Sequence, residues 1–252
     1  MALPLAPNAE LKQLATGFAL AEGPVYSRRG YLLFTDIRNQ RIHKWENGKL
    51  SIIRENSNKA NGLTFDHQGR LLTAEGGGRV TRTEKNGAIT VLAEKGLQGP
   101  NDIVYAIDGS IYFTDLPAGK VYQITRTGQV RVVAETAGPN GLALSPNQQH
   151  LYIADYRTGP VTVHEIEPDG RLKPGKPFAS LIVDGLKTDE SGNVWMATPE
   201  GITVHTAKGE PLGTIKTPER PTNLALSGAA LYITTPTAVH QIQTKVFGTR
   251  TF

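Results

Sequence analysis

Six polar residues recur along this chain at nearly one interval. They are Glu22, Asn61, Asn101, Asn140, Asp184 and Asn223, separated by steps of 39, 40, 39, 44 and 39 residues. Each opens a similar apolar phrase: EGPVYS, NGLTFD, NDIVYA, NGLALS, DGLKTD and NLALSG. Two carboxylates and four carboxamides make an all-oxygen donor set. Such a set suits a hard divalent cation, which takes about six to eight oxygens, waters included. Glu22 and Asp184 would balance the ion's two charges, and without it they would repel one another. The chemistry requires all six side chains to converge.

A period near 40 residues supplies the means, because it is the repeat of a propeller with one blade per unit. The first strand of every blade then lines a central channel, and equivalent residues form a ring. A second strand follows in each repeat, at YLLFTD, RLLTAE, SIYFTD, HLYIAD, NVWMAT and ALYITT. Alternation, β-branched and aromatic content, and turn pairs such as Asn47-Gly48 and Asn86-Gly87 predict strands throughout. No stretch has sustained helical periodicity. The predicted fold is all-β, a six-bladed β-propeller forming a single domain over 1–252. Its blades fall at roughly 22–57, 58–96, 97–136, 137–180, 181–218 and 219–247. The last blade lacks an outer strand, and residues 11–17 are expected to supply it and close the ring. The longer step before Asp184 holds EPDGRLKPGKPF, expected as a surface hairpin at the rim of blade four.

A second polar layer ends the second strands: Asp36, Glu75, Asp115, Asp155, Thr198 and Thr235. Most of these are expected to cap turns. Glu75, in AEGGGR, is a candidate for substrate contact, because three glycines admit close approach of backbone or ligand. A plainer reading exists for the inner ring too: Asn-Gly and Asp-Gly are turn pairs. That reading covers Asn61, Asn140, Asp184 and Glu22 but fails at Asn101, followed by Asp102, and Asn223, followed by Leu224.

Composition narrows the function classes. Without cysteine there is no disulfide, thiolate metal site or cysteine nucleophile. The net charge of +4 is dispersed, which argues against a nucleic-acid partner. No run of 18 apolar residues occurs, so no membrane span is expected. The opening MALPLAPNAELKQ lacks the charged and apolar regions of a secretory leader. A cytoplasmic protein is expected, or a periplasmic one whose leader has been removed.

The phrases AEGPVY, GPNDIV, GPNGLALS and VDGLKTDESGNVWMA, in order over about residues 16–236, resemble the senescence marker protein (regucalcin), gluconolactonase and luciferin-regenerating enzyme family. The resemblance implies a propeller with one divalent metal in its channel and hydrolysis of sugar lactones to aldonic acids. It implies Glu22, Asn140 and Asp184 as metal ligands, with Asn101 at the metal or the substrate. Ca²⁺ is the expected ion, with Zn²⁺, Mn²⁺, Mg²⁺ and Fe²⁺ as alternatives. Asp184 is the implied catalytic base, with Glu75 or Asp102 as outer acids to share that task and metal-bound water as an alternative nucleophile. Asn101, Glu75 and Asn61 are the candidate substrate contacts, and Asn223 a channel neighbour. The expected partner is a small sugar lactone, and the expected state a monomer or weak oligomer.

Several positions depart from the family pattern. Gly76 stands where many members have histidine, Gly99 where vertebrate relatives have a substrate-binding arginine, and the turn at Leu116-Pro117-Ala118-Gly119 is short. None of the six histidines falls in either polar layer, which disfavours a lyase using a channel histidine. The alternatives are another metal-dependent esterase on the same scaffold, or a non-catalytic metal-binding propeller serving as a binding or scaffold protein.

Overall fold

The computed structural model describes residues 2–249. Residue 1 and residues 250–252, the outer ends of the predicted 1–252 span, lie outside the described residues.

The described chain is all strand and turn. Strand β1 (Lys12–Thr16) comes first. Blade one follows with β2 (Ala21–Ser27), β3 (Tyr31–Asp36), β4 (Arg41–Glu46) and β5 (Lys49–Arg54). Blade two has β6 (Ala60–Phe65), β7 (Leu71–Glu75), β8 (Arg79–Thr83) and β9 (Ile89–Ala93). Blade three has β10 (Pro100–Tyr105), β11 (Ile111–Asp115), β12 (Lys120–Ile124) and β13 (Val130–Glu135). Blade four has β14 (Pro139–Leu144), β15 (His150–Asp155), β16 (Val161–Glu165) and β17 (Lys176–Ala179). Blade five has β18 (Leu186–Thr188), β19 (Val194–Thr198), β20 (Gly201–His205) and β21 (Pro211–Ile215). Blade six has β22 (Asn223–Ser227), β23 (Ala230–Thr234) and β24 (Ala238–Gln243).

Each blade is a four-stranded antiparallel meander, and the sixth is completed by β1 in the order β1-β24-β23-β22. Lys12 pairs with Gln241 and Thr16 with Ala238. The ring is therefore closed by the N-terminal strand, as the missing outer strand of blade six predicts. Among the described residues no helix is long and apolar enough to cross a membrane.

Why the second strands read as nearly continuous apolar runs becomes clear from the packing. Every sheet is covered on both faces by its neighbours, so alternate residues of both sets are buried. Val25 and Ile42 of blade one meet Leu63 and Phe65 of blade two. Leu72 and Val80 then meet Ile103 and Phe113, and Tyr112 and Val121 meet Leu142 and Ile153. Tyr152 and Val161 meet Leu186 and Met196, and Trp195 and Ile202 meet Leu224 and Ile233. Tyr232 and Val239 meet Phe18 and Phe34, which returns the circuit to blade one. The core is six wedges around an axis.

The hairpin of the long step bridges Ile166 to Leu172. It reaches past blade four, since the Gly170 carbonyl accepts a hydrogen bond from the buried Tyr112 hydroxyl of blade three at 2.8 Å. Its glycine is required there: a Cβ on Gly170 would lie 2.0 Å from Gln123 Nε2. This segment clasps two blades together.

Closure makes a stability prediction. Leu14 and Ala15 pack on the wedge between blades six and one, while Leu3, Leu5 and Leu11 pack on the one between blades five and six. Removing residues 1–16 is expected to lower the unfolding free energy by about 3 kcal/mol or more, the scale of one or two buried leucine truncations. Urea unfolding followed by Trp45 and Trp195 fluorescence reads this directly. An unchanged midpoint would show that the closure contributes nothing.

Candidate active site

Four of the six ring residues lie at a repeated irregularity. In blades one to four, first and second strands lose register between Glu22 and Val25, Ala60 and Leu63, Pro100 and Ile103, and Pro139 and Leu142. Such bulges re-aim side chains, and here each spans a ring position or, at Glu22, begins directly after it. The glycine after the ring residue then meets the next blade. A Cβ on Gly23 would lie 1.8 Å from the Asn61 carbonyl oxygen, and one on Gly141 would lie 2.4 Å from that of Asp184. On Gly185 it would lie 2.1 Å from the Asn223 side chain. These glycines are not turn residues. They let six inner strands crowd round one axis, which is why Asn-Gly and Asp-Gly recur.

Threonines of the second strands lock the crowding. Thr35 Oγ1 donates to the Asn61 carbonyl at 3.1 Å, and Thr114 Oγ1 to that of Asn140 at 2.7 Å. Each ties one blade's second strand to the next blade's ring residue.

Around the ring, neighbours pair in two places. Asn223 Nδ2 donates to Glu22 Oε2 at 3.0 Å, and Asn140 Nδ2 donates to Asp184 Oδ1 at 2.8 Å. The side-chain oxygens of Asn61, Asn101 and Asn140 are buried and accept no hydrogen bond. A buried acceptor left unsatisfied costs about 1–3 kcal/mol, so three in one ring call for a missing partner. Among the described residues no three His, Cys, Asp or Glu side chains cluster as a metal site. The ring instead offers two carboxylates and unpaired amide oxygens, a donor set that fits a hard divalent cation.

Electrostatics say the same. Burial, with the nearby charges of Asp184 and Asp102, pushes the Glu22 carboxyl up to about 8. Burial likewise raises Asp184 to about 7, against the opposing pull of Arg220 and the Asn140 amide. In the metal-free protein these acids hold protons that the unfolded chain would release.

Beside the ring lie groups that the repeat pattern did not single out. Lys187, three residues after Asp184, places Nζ 3.4 Å from Asp102 Oδ2, linking blades five and three. Arg220 places Nη2 3.9 Å from Asp184 Oδ2, with its guanidinium 4.9 Å from the centre of the Tyr156 ring. One signal could have found it. Of the residues three before each ring position (Ala19, Asn58, Gln98, Ala137, Leu181 and Arg220), it is the sole cation.

The outer layer is structural. Asp36 accepts from the Ala19 and Leu20 amides, Asp115 from those of Gln98 and Gly99, and Asp155 from Thr136, Arg157 and Thr158. Each acid pins a loop beside the channel. Glu75 departs from its expected role as a substrate contact. It is 0% exposed, and its two oxygens accept from Arg54, Asn58, Arg79 and Thr81. These donors hold its carboxyl below the usual range against the opposing effect of burial. Its three glycines admit backbone rather than ligand: Gly76 and Gly77 donate to the carbonyls of Lys59 and Asn58. Glu75 is thus joined to blade one through Arg54, whereas Asn61 and Asn101 stay in the ring.

The other departures also have local causes. A Cβ on Gly99 would lie 2.9 Å from Pro117 Cγ, so the short turn occupies the space an arginine would need. His164 is held between Thr162 Oγ1 and the Lys173 carbonyl, and burial lowers its affinity for a proton.

Two outcomes are expected from this geometry. Because the fold raises Glu22 and Asp184 from ordinary values of 4.5 and 3.8 to about 8 and about 7, folded protein binds more protons than unfolded across that window. Stability of the metal-free protein should therefore fall as pH rises from about 4 to 8. Added Ca²⁺ should raise the Tm more at pH 8 than at pH 5. A Tm flat over the window would contradict this placement of the acids. Gly141→Ala should force the Asp184 backbone outward, costing about 1–3 kcal/mol of stability and weakening calcium binding in calorimetry. Unaltered affinity would mean the close approach does not set the ring.

Comparison with known proteins agrees with the architecture. The chain is 26% identical to a gluconolactonase of Zymomonas mobilis, over 94% of this chain and 82% of that protein. It is 28% identical to a pentonolactonase of Haloferax volcanii, over 87% of this chain and 82% of that one. Among solved structures, a gluconolactonase from Xanthomonas campestris superposes with a TM-score of 0.89 at 28% identity, covering 96% of this chain and 91% of the other. The family model described as SMP-30/gluconolactonase/LRE-like region matches residues 20–237, and the chain belongs to that family.

Proposed function

We propose that the protein is a lactonase that opens sugar lactones to aldonic acids with a divalent cation bound at the channel ring. The observation that carries this reading is the ring itself, where the buried Glu22 and the partly buried Asp184 stand with three unpaired amide oxygens. The relatives named gluconolactonase and pentonolactonase supply the substrate class. An oxygen-only donor set favours Ca²⁺ over softer ions.

A cation held by Glu22, Asn140 and Asp184, with Asn101 beside them, would supply Lewis-acid polarisation of the lactone carbonyl. The chain's own groups account for the proton. Asn140 fixes Asp184 through Oδ1, which leaves Oδ2 turned toward Arg220. The Asp184 side chain is 16% exposed. Oδ2 accepts a proton from water as the water oxygen bonds to the carbonyl carbon. The ring C–O bond then breaks, the departing oxygen takes a proton back, and the new carboxylic acid ionises. One water is consumed and one proton released per turnover.

Acid release measured by pH-stat from a panel of aldonolactones, with chelated protein and then with added Ca²⁺, Zn²⁺, Mn²⁺ or Mg²⁺, tests the proposal. Metal should restore turnover, and Asp184→Asn should lower kcat by about 10²–10⁴-fold, the range for a general base. Tight metal binding with no lactone opened above background would favour a non-catalytic propeller.

A further inference from the structure

Arg220 stands at the mouth with an unusual freedom of its head and an unusual rigidity of its base. It lies on the connection from β21 to β22. On one side, the Glu219 carboxylate accepts from Thr235 Oγ1 at 2.7 Å, Thr237 Oγ1 at 2.9 Å and the Thr237 amide at 3.1 Å. The Glu219 carbonyl accepts from Thr217 Oγ1 at 2.7 Å. On the other side, Thr222 Oγ1 donates to the Ala21 carbonyl of blade one at 2.7 Å. The backbone that carries Arg220 is clamped across the junction of blades six and one.

Its guanidinium lies over the Tyr156 ring, 4.9 Å from the centre, a contact that steadies the head without using its N–H groups. The approach to Asp184 Oδ2, at 3.9 Å, is too long for a hydrogen bond. Among the described residues no hydrogen bond takes up the five donors, and the side chain is 39% exposed. The neighbouring cation differs: Arg157 turns back to donate to the Ala137 carbonyl at 3.0 Å. A planar fork held open beside the ring suits paired oxygens, either vicinal hydroxyls or a carboxylate.

We propose that Arg220, oriented by Tyr156, is a substrate-binding and specificity residue that grips the hydroxyl oxygens of a polyhydroxylated lactone and the carboxylate formed when it opens. This rests on the lactonase reading above and adds to it the group that selects sugar lactones over apolar ones.

The test compares metal-loaded wild type, Arg220→Ala and Arg220→Lys on D-glucono-1,5-lactone and on δ-valerolactone, which has the same ring without hydroxyls. Calorimetric titrations with gluconate and with Ca²⁺ accompany the kinetics. Arg220→Ala should raise KM for gluconolactone about 10–100-fold and weaken gluconate binding similarly, the scale of one or two charge-assisted hydrogen bonds. Its KM for δ-valerolactone should stay within about threefold, while the charge lost beside Asp184 should shift kcat on both lactones alike. Arg220→Lys should recover only part of the loss, having charge without the fork. Equal changes of KM on both lactones, or a change in calcium affinity with KM unaltered, would overturn the proposal and leave Arg220 as a counter-ion to Asp184. If wild type opens neither lactone, the lactonase reading fails on its own. The gluconate titration then still decides: binding lost in Arg220→Ala upholds the proposal, and binding kept overturns it.

Discussion

Everything in this molecule follows from the burial of both faces of every sheet. Six blades divide one hydrophobic core into six wedges, from Val25 against Leu63 round to Tyr232 against Phe34. No wedge is complete without its neighbour, so the circuit has to close, and β1 closes it. A wedge is narrowest at its inner edge. There the backbones approach until the space for a Cβ vanishes, as at Gly23, Gly62, Gly141 and Gly185. Apolar packing thus ends before the axis, and what remains at the axis is a lining of backbone carbonyls and short polar side chains.

That lining is an electrostatic problem which the metal-free chain solves only in part. Asn223 and Asn140 each give one hydrogen bond to an acid, yet the amide oxygens of Asn61, Asn101 and Asn140 stay unsatisfied. All the unmet demand is of one sign: acceptors without donors, and carboxyls holding protons because burial disfavours their charge. Lys187 and Arg220 relieve it from beside the ring, at Asp102 and Asp184 respectively. Neither lysine nor arginine enters the ring itself. Cationic side chains at the margin and bare oxygens at the centre would suit the positive guest proposed above.

The repeat was legible in the sequence because each blade needs a polar inner residue at the same place, and four of the five steps are 39 or 40 residues. The reason for the glycines was not legible. Asn61-Gly62 and Asn140-Gly141 have the composition of hairpin turns, and only the neighbouring blade, about 40 residues away, reveals that they are contact points. Glu75 misled for the same reason. Its glycines signal close approach without saying of what, and the approaching group is the 58–59 backbone. Arg220 was hidden in another way, since it belongs to no repeat: its importance lies in being the one cation at a position where the other blades have none.

That asymmetry is also where chemistry can enter. A symmetric ring binds an ion but has no direction in which to orient a substrate. Direction comes from the unique residues: Asp184 as an acid opposite amides, Asp102 where glycine stands in four of the other five repeats, and Arg220 on one side of the ring. The loops bearing these residues tolerate individuality because the outer layer fixes each of them separately, Asp155 holding the Arg157 turn and Thr235 holding Glu219. The repeated residues build the ring, and the loops they pin are left free to differ. Specificity in this fold is therefore carried by departures from the repeat, each anchored by a residue that obeys it.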